Sequence, residues 1–282
     1  MTDVQKIILD IYKVTAAICQ RNGIPHFAIG GTCIGAVRHG GFIPWDDDMD
    51  IAVPVEDFGK LLKCLRRELP DRYQVVTSFD RPLYFNLFIK VEDTETAFIE
   101  KVDLPYPEAY KGIFLDIMPL GGVPENGLRH RRFVLKVREY HMLSKVFRLP
   151  RARMNSPMAK TFWPLMQPVK HLTGDTLISR RWLALARSQP FRTSETVGYV
   201  WSHNIERRLF KRAWFDETVD LPFEDTTVPC PAGYDEYLTA HFGDYMKLPP
   251  ADKQVSNHPG LVDTHNSYRE YQSGKRPIYI AK

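Results

Sequence analysis

The chain is poor in cysteine. The four it has, Cys19, Cys33, Cys64 and Cys230, are scattered, with no CxxC pair and no histidine at zinc-ligand spacing. That excludes a disulfide or zinc framework and reads as reduced core thiols. Also missing is any apolar run of the roughly 18–20 residues that a membrane span needs. The N-terminus, MTDVQKIILDIYK, lacks a signal peptide's order of basic start, apolar middle and small-residue cleavage site. A cytoplasmic location is the expectation. There is no internal repeat and no low-complexity tract, which leaves an ordinary globular chain.

Its 282 residues, 44% hydrophobic, suit one large domain or two small ones around a buried core. The net charge of +4 hides an asymmetry: residues 126–192 hold 15 Lys or Arg against only Glu139 and Asp175, a local charge of +13, so the remainder carries −9. No recognised nucleic-acid motif accompanies the basic stretch, and nucleic acid is not an expected partner. The stretch could instead lie against anionic membrane lipid or hold a lipid-diphosphate-linked glycan, or be a helical pair with a solvated basic face.

Val4, Ile7, Ile8, Ile11, Val14 and Ile18 fall at helical spacing behind Thr2 or Asp3 as cap, and Asn22-Gly23 ends the helix. HFAIG then reads as a buried strand stopping at Gly30-Gly31, followed by a helix from Thr32 to His39 closed by Gly40-Gly41. MDIAV reads as a second strand, VEDFGKLLKCLRREL as a helix, and residues 73–78, 84–92 and 113–118 as further strands. LRHRRFVLKVREYHMLSKVF and DTLISRRWLALARS have apolar helical stripes, so 126–192 reads as a helical insertion. Beyond residue 193 the chain turns acidic and aromatic, with short strands before a helix near Tyr234 to His241. Strands alternating with helices predict a mixed α/β (α+β) sheet core flanked by helices.

The segment FIPWDDDMDIAV, 42–53, places four carboxylates within Asp46 to Asp50, directly before an apolar strand. Such crowding costs roughly 1–4 kcal/mol per pair near a surface. In a strand, Asp48 and Asp50 share one face while Met49 and Ile51 turn to the core. Two carboxylates so placed suit Mg²⁺ or Mn²⁺, whose charge removes the repulsion. A solvated acidic loop is the bland alternative, and Trp45, Pro44 and the following apolar strand argue against it. A calcium loop fails because Ile51 stands where glycine is required and Asp57 where glutamate is.

GGTCIGAVR has the opening glycine spacing of a phosphate-binding loop at Gly30 and Gly35, but no Lys-Ser or Lys-Thr follows. What survives is a glycine-rich helix start whose N–H groups can face a phosphate. Arg38, two turns on, either adds charge there or is simply solvated.

The run GGTCIGAVRHGGFIPWDDDMDIAV closely resembles the signature of LicD-type phosphotransferases, relatives of the fukutin-related alditol-phosphate transferases. GIFLDIMPLGGVP, 112–124, is similar to that family's second block. FEDTTVPCPAGYDEYLTAHFGDYMKLPP, 223–250, is similar to its C-terminal block, with His258 in the loop that follows; 126–192 has no clear counterpart. The resemblance implies a nucleotidyltransferase-like fold, with 1–125 and 193–282 forming the catalytic domain around the insertion. It implies that Asp48, Asp50 and Asp116 are the metal ligands and catalytic carboxylates. An isolated Asp inside the buried run IFLDIM is costly unless it is paired or ligates a metal, which supports a role for Asp116.

The same resemblance implies transfer of phosphocholine from CDP-choline, with Mg²⁺ or Mn²⁺, to a sugar hydroxyl of a cell-surface glycan such as lipopolysaccharide, teichoic acid or capsule, releasing CMP. Alternatives are another CDP-activated donor carrying ribitol or glycerol phosphate, or nucleotidyl transfer from an NTP. The acceptor can be lipid-linked, which allows peripheral contact with the inner membrane surface. Gly30, Gly31, Thr32, Arg38, Trp45 and Lys90 are the expected substrate-binding residues, Lys90 reading equally as a surface lysine. Asp46 and Asp47 are expected to orient Arg38 or a metal-bound water. A choline head group would call for aromatic faces; Trp45, Tyr84, Tyr106, Tyr110, Trp201 and Trp214 are candidates, though each also reads as core packing.

Overall fold

Thr2 opens the first helix with a capping box: its hydroxyl accepts the Gln5 N–H at 3.2 Å, while the Gln5 side chain accepts the Thr2 N–H at 2.9 Å. The computed structural model describes residues 1–154, 156–174, 176–256 and 260–279; His258 lies outside them. Helix α1 (Asp3–Arg21) buries Ile8, Leu9, Ile11, Tyr12 and Ile18 and ends at Asn22. Strand β1 (Phe27–Ala28) is only two residues long, because α2 (Gly30–His39) begins two residues earlier than the sequence pattern suggests and closes on left-handed Gly40. Gly30 itself has φ +56, a conformation open to glycine.

After α2 come β2 (Asp50–Pro54), α3 (Phe58–Glu68), β3 (Tyr73–Val76), β4 (Ile89–Asp93), β5 (Ala97–Glu100) and β6 (Phe114–Gly122). The strand expected over 84–92 shrinks to β4, residues 84–88 leading into it as loop and turn. Helices α4 (Gly127–Arg148), α5 (Pro157–Thr173) and α6 (Leu177–Arg187) make up the basic stretch. The C-terminal part adds β7 (Thr196–Gly198), β8 (Leu209–Lys211), β9 (Thr218–Phe223), β10 (Thr226–Pro231), α7 (Tyr234–Phe242), β11 (Gly260–Asp263) and α8 (Tyr268–Gln272).

The main sheet runs β1-β2-β6-β4-β3, with β7 continuing from β6 and β8 from β7. Strands β2 and β6 are parallel and the other pairs antiparallel, so the sheet is mixed, as the alternation of elements predicts. Ile51, Ala52 and Val53 on β2 and Leu115 and Ile117 on β6 are buried in one cluster with α1, α3 and the aromatic residues of the C-terminal part. Helices α4 and α6 form a second buried cluster, in which Phe133, Val134, Val137, Trp182 and Ala186 meet Val55, Leu87 and Val123. All four cysteines are buried free thiols. No described helix is long and apolar enough to cross a membrane.

Candidate active site

Register across three strands assembles the centre. Asp50 on β2 lies opposite Asp116 on β6, and Asp116 lies opposite Lys90 on β4, forming one row across neighbouring strands about 4.8 Å apart. Register partners share a face, so residues 50, 116 and 90, remote in sequence, form a single acid-acid-base line. The Lys90 ammonium sits 2.5 Å from Asp116 Oδ1 and 3.0 Å from the centre of the Phe114 ring. Burial pulls the Lys90 ammonium below its ordinary pKa, against the pull of Asp116.

Around Asp50 the charge is of one sign. Its carboxyl is raised well above the usual range, by burial first and then by Asp48, Asp116 and Asp46, with Lys90 only partly offsetting them. Met49 and Ile51 are wholly buried on either side of it. The Asp50 N–H donates to the buried Thr32 hydroxyl at 2.8 Å, tying the strand to the start of α2. Gly31 supplies a second tie: a Cβ there would lie 2.6 Å from Asp46 Oδ2, so only glycine lets that carboxylate rest on the amino end of α2, where the helix dipole favours an anion. At Gly30 a Cβ would come within 3.5 Å of Asp50 Oδ2.

Two residues that sequence reasoning passed over hold this arrangement. Gln5 is almost fully buried, and its side-chain amide donates to the carbonyls of Ile43 at 3.3 Å and Asp46 at 2.8 Å, fixing the acidic loop to α1. Tyr237 accepts the Gly30 N–H at 2.9 Å, and its hydroxyl lies 2.5 Å from that of Tyr199. Neither was legible locally, because each acts across more than 35 residues of chain.

Cavities flank the row on two sides. One, of about 410 Å³, is lined by Gly30, Gly31, Asp46, Asp48 and Asp50 together with Trp45, Tyr199, Trp201, Arg208 and His241. Tyr199 and Trp201 stack with centroids 5.9 Å apart, and the Arg208 guanidinium lies 5.8 Å from the first ring and 5.7 Å from the second. Trp201 Nε1 and His241 Nδ1 are buried without a hydrogen-bond partner among the described residues. The other cavity, of about 300 Å³, is lined by Asp116, Lys90, Tyr84, Asn86, Arg81, Lys111 and Arg153. There Arg81 pairs with Glu92, Lys111 with Glu100, and Arg153 with Asp103.

Of the residues expected at the site, Gly30, Gly31, Trp45, Asp48 and Asp50 line the first cavity and Lys90 and Asp116 the second. Thr32 is engaged beneath them with the Asp50 backbone. Arg38 stands in the last turn of α2 and donates to the Tyr245 carbonyl at 2.6 Å, away from both linings. Among the other aromatic candidates Trp201 lines the first cavity and Tyr84 the second, whereas Trp214 packs against the main core. Among the described residues no three of His, Cys, Asp and Glu stand in a ready-made metal cluster. The donor set nevertheless fits a hard divalent cation: carboxylates two residues apart, whose mutual repulsion a double positive charge would relieve.

A glycine-rich helix start, a strand that opens on Asp50 and a third carboxylate one strand over make up the acidic centre; Asp48, expected on that strand, lies in the loop just before it. Residues 23–158 match the family described as LicD/FKTN/FKRP, nucleotidyltransferase domain. It is 28% identical over 267 residues, 90% of its length, to the lipopolysaccharide cholinephosphotransferase LicD of Haemophilus influenzae, of which it covers 94%. A shorter stretch of 47 residues, 17% of this chain and 10% of the relative, is 36% identical to the ribitol 5-phosphate transferase FKRP of human and mouse. Both relatives are named as transferases of phosphorus-containing groups.

Proposed function

We propose that this protein is a LicD-type transferase that moves phosphocholine from CDP-choline to a sugar hydroxyl of a glycan and releases CMP. The observation that carries the choline reading is the first cavity. Its lining combines Trp45, Tyr199 and Trp201, aromatic side chains suited to a cation, with the acidic Asp46, Asp48 and Asp50. The Arg208 guanidinium lies over two of those rings, which supports reading the lining as a place for positive charge. A trimethylammonium head group would take that place and free the guanidinium for the phosphates.

Asp48 and Asp50 would hold Mg²⁺ or Mn²⁺. Bound there, the ion would neutralise the diphosphate and stabilise charge on the departing oxygen. The acceptor hydroxyl oxygen forms a bond to the choline-bearing phosphorus as the bond from that phosphorus to the bridging oxygen breaks; CMP leaves with that oxygen and the bonding electrons. Asp116 takes the hydroxyl proton, and Lys90, 2.5 Å away, steadies the carboxylate and adds positive charge beside the transferred phosphoryl. Gly30 and Gly31 let the donor approach the amino end of α2. The buried unbridged thiols support a cytoplasmic setting.

The test is incubation with Mg²⁺ and, separately, CDP-choline, CDP-ribitol, CDP-glycerol and CTP, with CMP and pyrophosphate quantified. CMP formed preferentially from CDP-choline is the expected result. Preference for CDP-ribitol would move the donor toward the FKRP-like reaction, pyrophosphate from CTP would make the enzyme a nucleotidyltransferase, and indifference to all four would remove the choline assignment.

A further inference from the structure

Helix α5 carries an apolar stripe on its outer side. Met158, Phe162, Leu165, Val169 and Leu172 are spaced four, three, four and three residues apart, which puts them on one face of a helix. They are 58%, 45%, 66%, 38% and 86% exposed, respectively. The same helix already has an inner face: Ala159, Trp163 and Met166 pack with Val146, Leu149 and Met154. The outer stripe is therefore surplus to what holds the helix on the protein, and a run of five large apolar side chains in water is unusual for a surface that meets only solvent.

The helix is held in place although Pro164 and Pro168 interrupt its ladder. Pro164 cannot donate to the Lys160 carbonyl, and Arg151 Nε donates to that carbonyl instead, at 3.2 Å. Residues 140–174 contain no Asp or Glu; Arg148 is buried and Arg153 is paired with Asp103, which leaves Lys145, Arg151, Lys160 and Lys170 as the cationic side chains of the region. A second copy of this region would meet it with like charge, whereas an anionic surface would be attracted. A 17-residue helix, about 25 Å long, with one apolar face and a cationic setting is suited to lie in the plane of a lipid surface.

We propose that the outer face of α5 docks the protein on an anionic phospholipid bilayer, the five apolar side chains entering the headgroup boundary while the basic residues around it meet lipid phosphates. This surface is separate from the catalytic row and does not depend on which donor the enzyme uses.

Co-sedimentation with vesicles tests it, comparing phosphatidylethanolamine–phosphatidylglycerol with phosphatidylcholine alone. The wild-type protein should partition onto the anionic vesicles, less so as salt is raised. The double variant Leu165→Glu/Leu172→Glu should lower the partition coefficient at least about tenfold, and Leu165→Ser/Leu172→Ser should lower it in the same direction without adding negative charge. Both variants change exposed positions, so far-UV circular dichroism and CMP formation from a soluble donor and acceptor should match wild type. No partitioning of the wild type, or equal partitioning of wild type and both variants, overturns the proposal. So does a wild-type dimer in sedimentation velocity that either variant converts to monomer, because the stripe would then be covered by a second copy.

Discussion

Replacing Asp50 with asparagine should stabilise the protein while disabling it. The side chain keeps its shape but loses the charge that sits among Asp46, Asp48 and Asp116. Two unit charges about 5 Å apart at an effective dielectric near 20 repel by about 3 kcal/mol. Lys90, beyond Asp116 in the row, offsets part of this. The same ceiling follows from protonation: a carboxyl whose folded-state pKa is raised well above the ordinary value costs stability as pH rises through that range. At pH 7 the cost is capped at about 4 kcal/mol whether the group ionises or holds its proton. Allowing for relaxation of neighbouring side chains, Asp50→Asn should gain about 1–3 kcal/mol in EDTA, an increase of several degrees in Tm. Mg²⁺ should raise the wild-type Tm and leave the variant's nearly unchanged, and CMP release should fall at least about a hundredfold. Thermal unfolding in EDTA and in Mg²⁺ reads both effects. A variant less stable than wild type in EDTA, or an equal Mg²⁺ shift in the two proteins, would refute the reasoning.

Trp201→Ala should raise KM for CDP-choline about tenfold and KM for CDP-glycerol much less, since only the former presents a cation to the ring; steady-state kinetics with both donors distinguishes them. Gln5→Ala removes the side-chain acceptor of the Thr2 N–H and the two bonds that fix the Ile43 and Asp46 carbonyls, and should cost about 2–3 kcal/mol in urea unfolding as well as lowering activity. Burial pushes His26, His141 and His241 down to about 4. These rings stay neutral in the fold while the unfolded chain takes up protons below about 6.5, so their contribution is complete above that pH and is lost as pH falls toward 4. Unfolding at pH 7 and pH 5 should differ by about 1–2 kcal/mol for each histidine, and His141→Gln should shrink the difference.

The carboxylate strand and the glycine-rich helix were legible because each is contiguous: MDIAV is a short apolar run behind the carboxylates and forms the strand from Asp50 on, and Thr2 and Gly40 mark helix ends by type alone. Helices α4 and α6 were legible for the same reason. Helix α5 was not, because Pro164 and Pro168 deny it a helical reading, and the bond that makes the first proline tolerable comes from Arg151, in the short turn before it. The strand read over 84–92 is lost in its first half: Leu83, just before it, adopts φ +63, and regular pairing begins only at Ile89. At the site, the type of each acidic residue was readable but its neighbours were not. The pairing of Lys90 with Asp116 depends on strand order, and the aromatic wall of Tyr199 and Trp201 reaches the carboxylates only because α7 and β7 fold back on α2 and β6.

That Asp48 and Asp50 together hold a divalent cation is the claim on which the chemistry rests, and anomalous scattering from crystals grown with Mn²⁺ measures it directly. The account predicts a manganese peak about 2.1 Å from carboxylate oxygens of both residues, lost in Asp50→Asn. No peak there in the wild type, or one coordinated without either carboxylate, would contradict it.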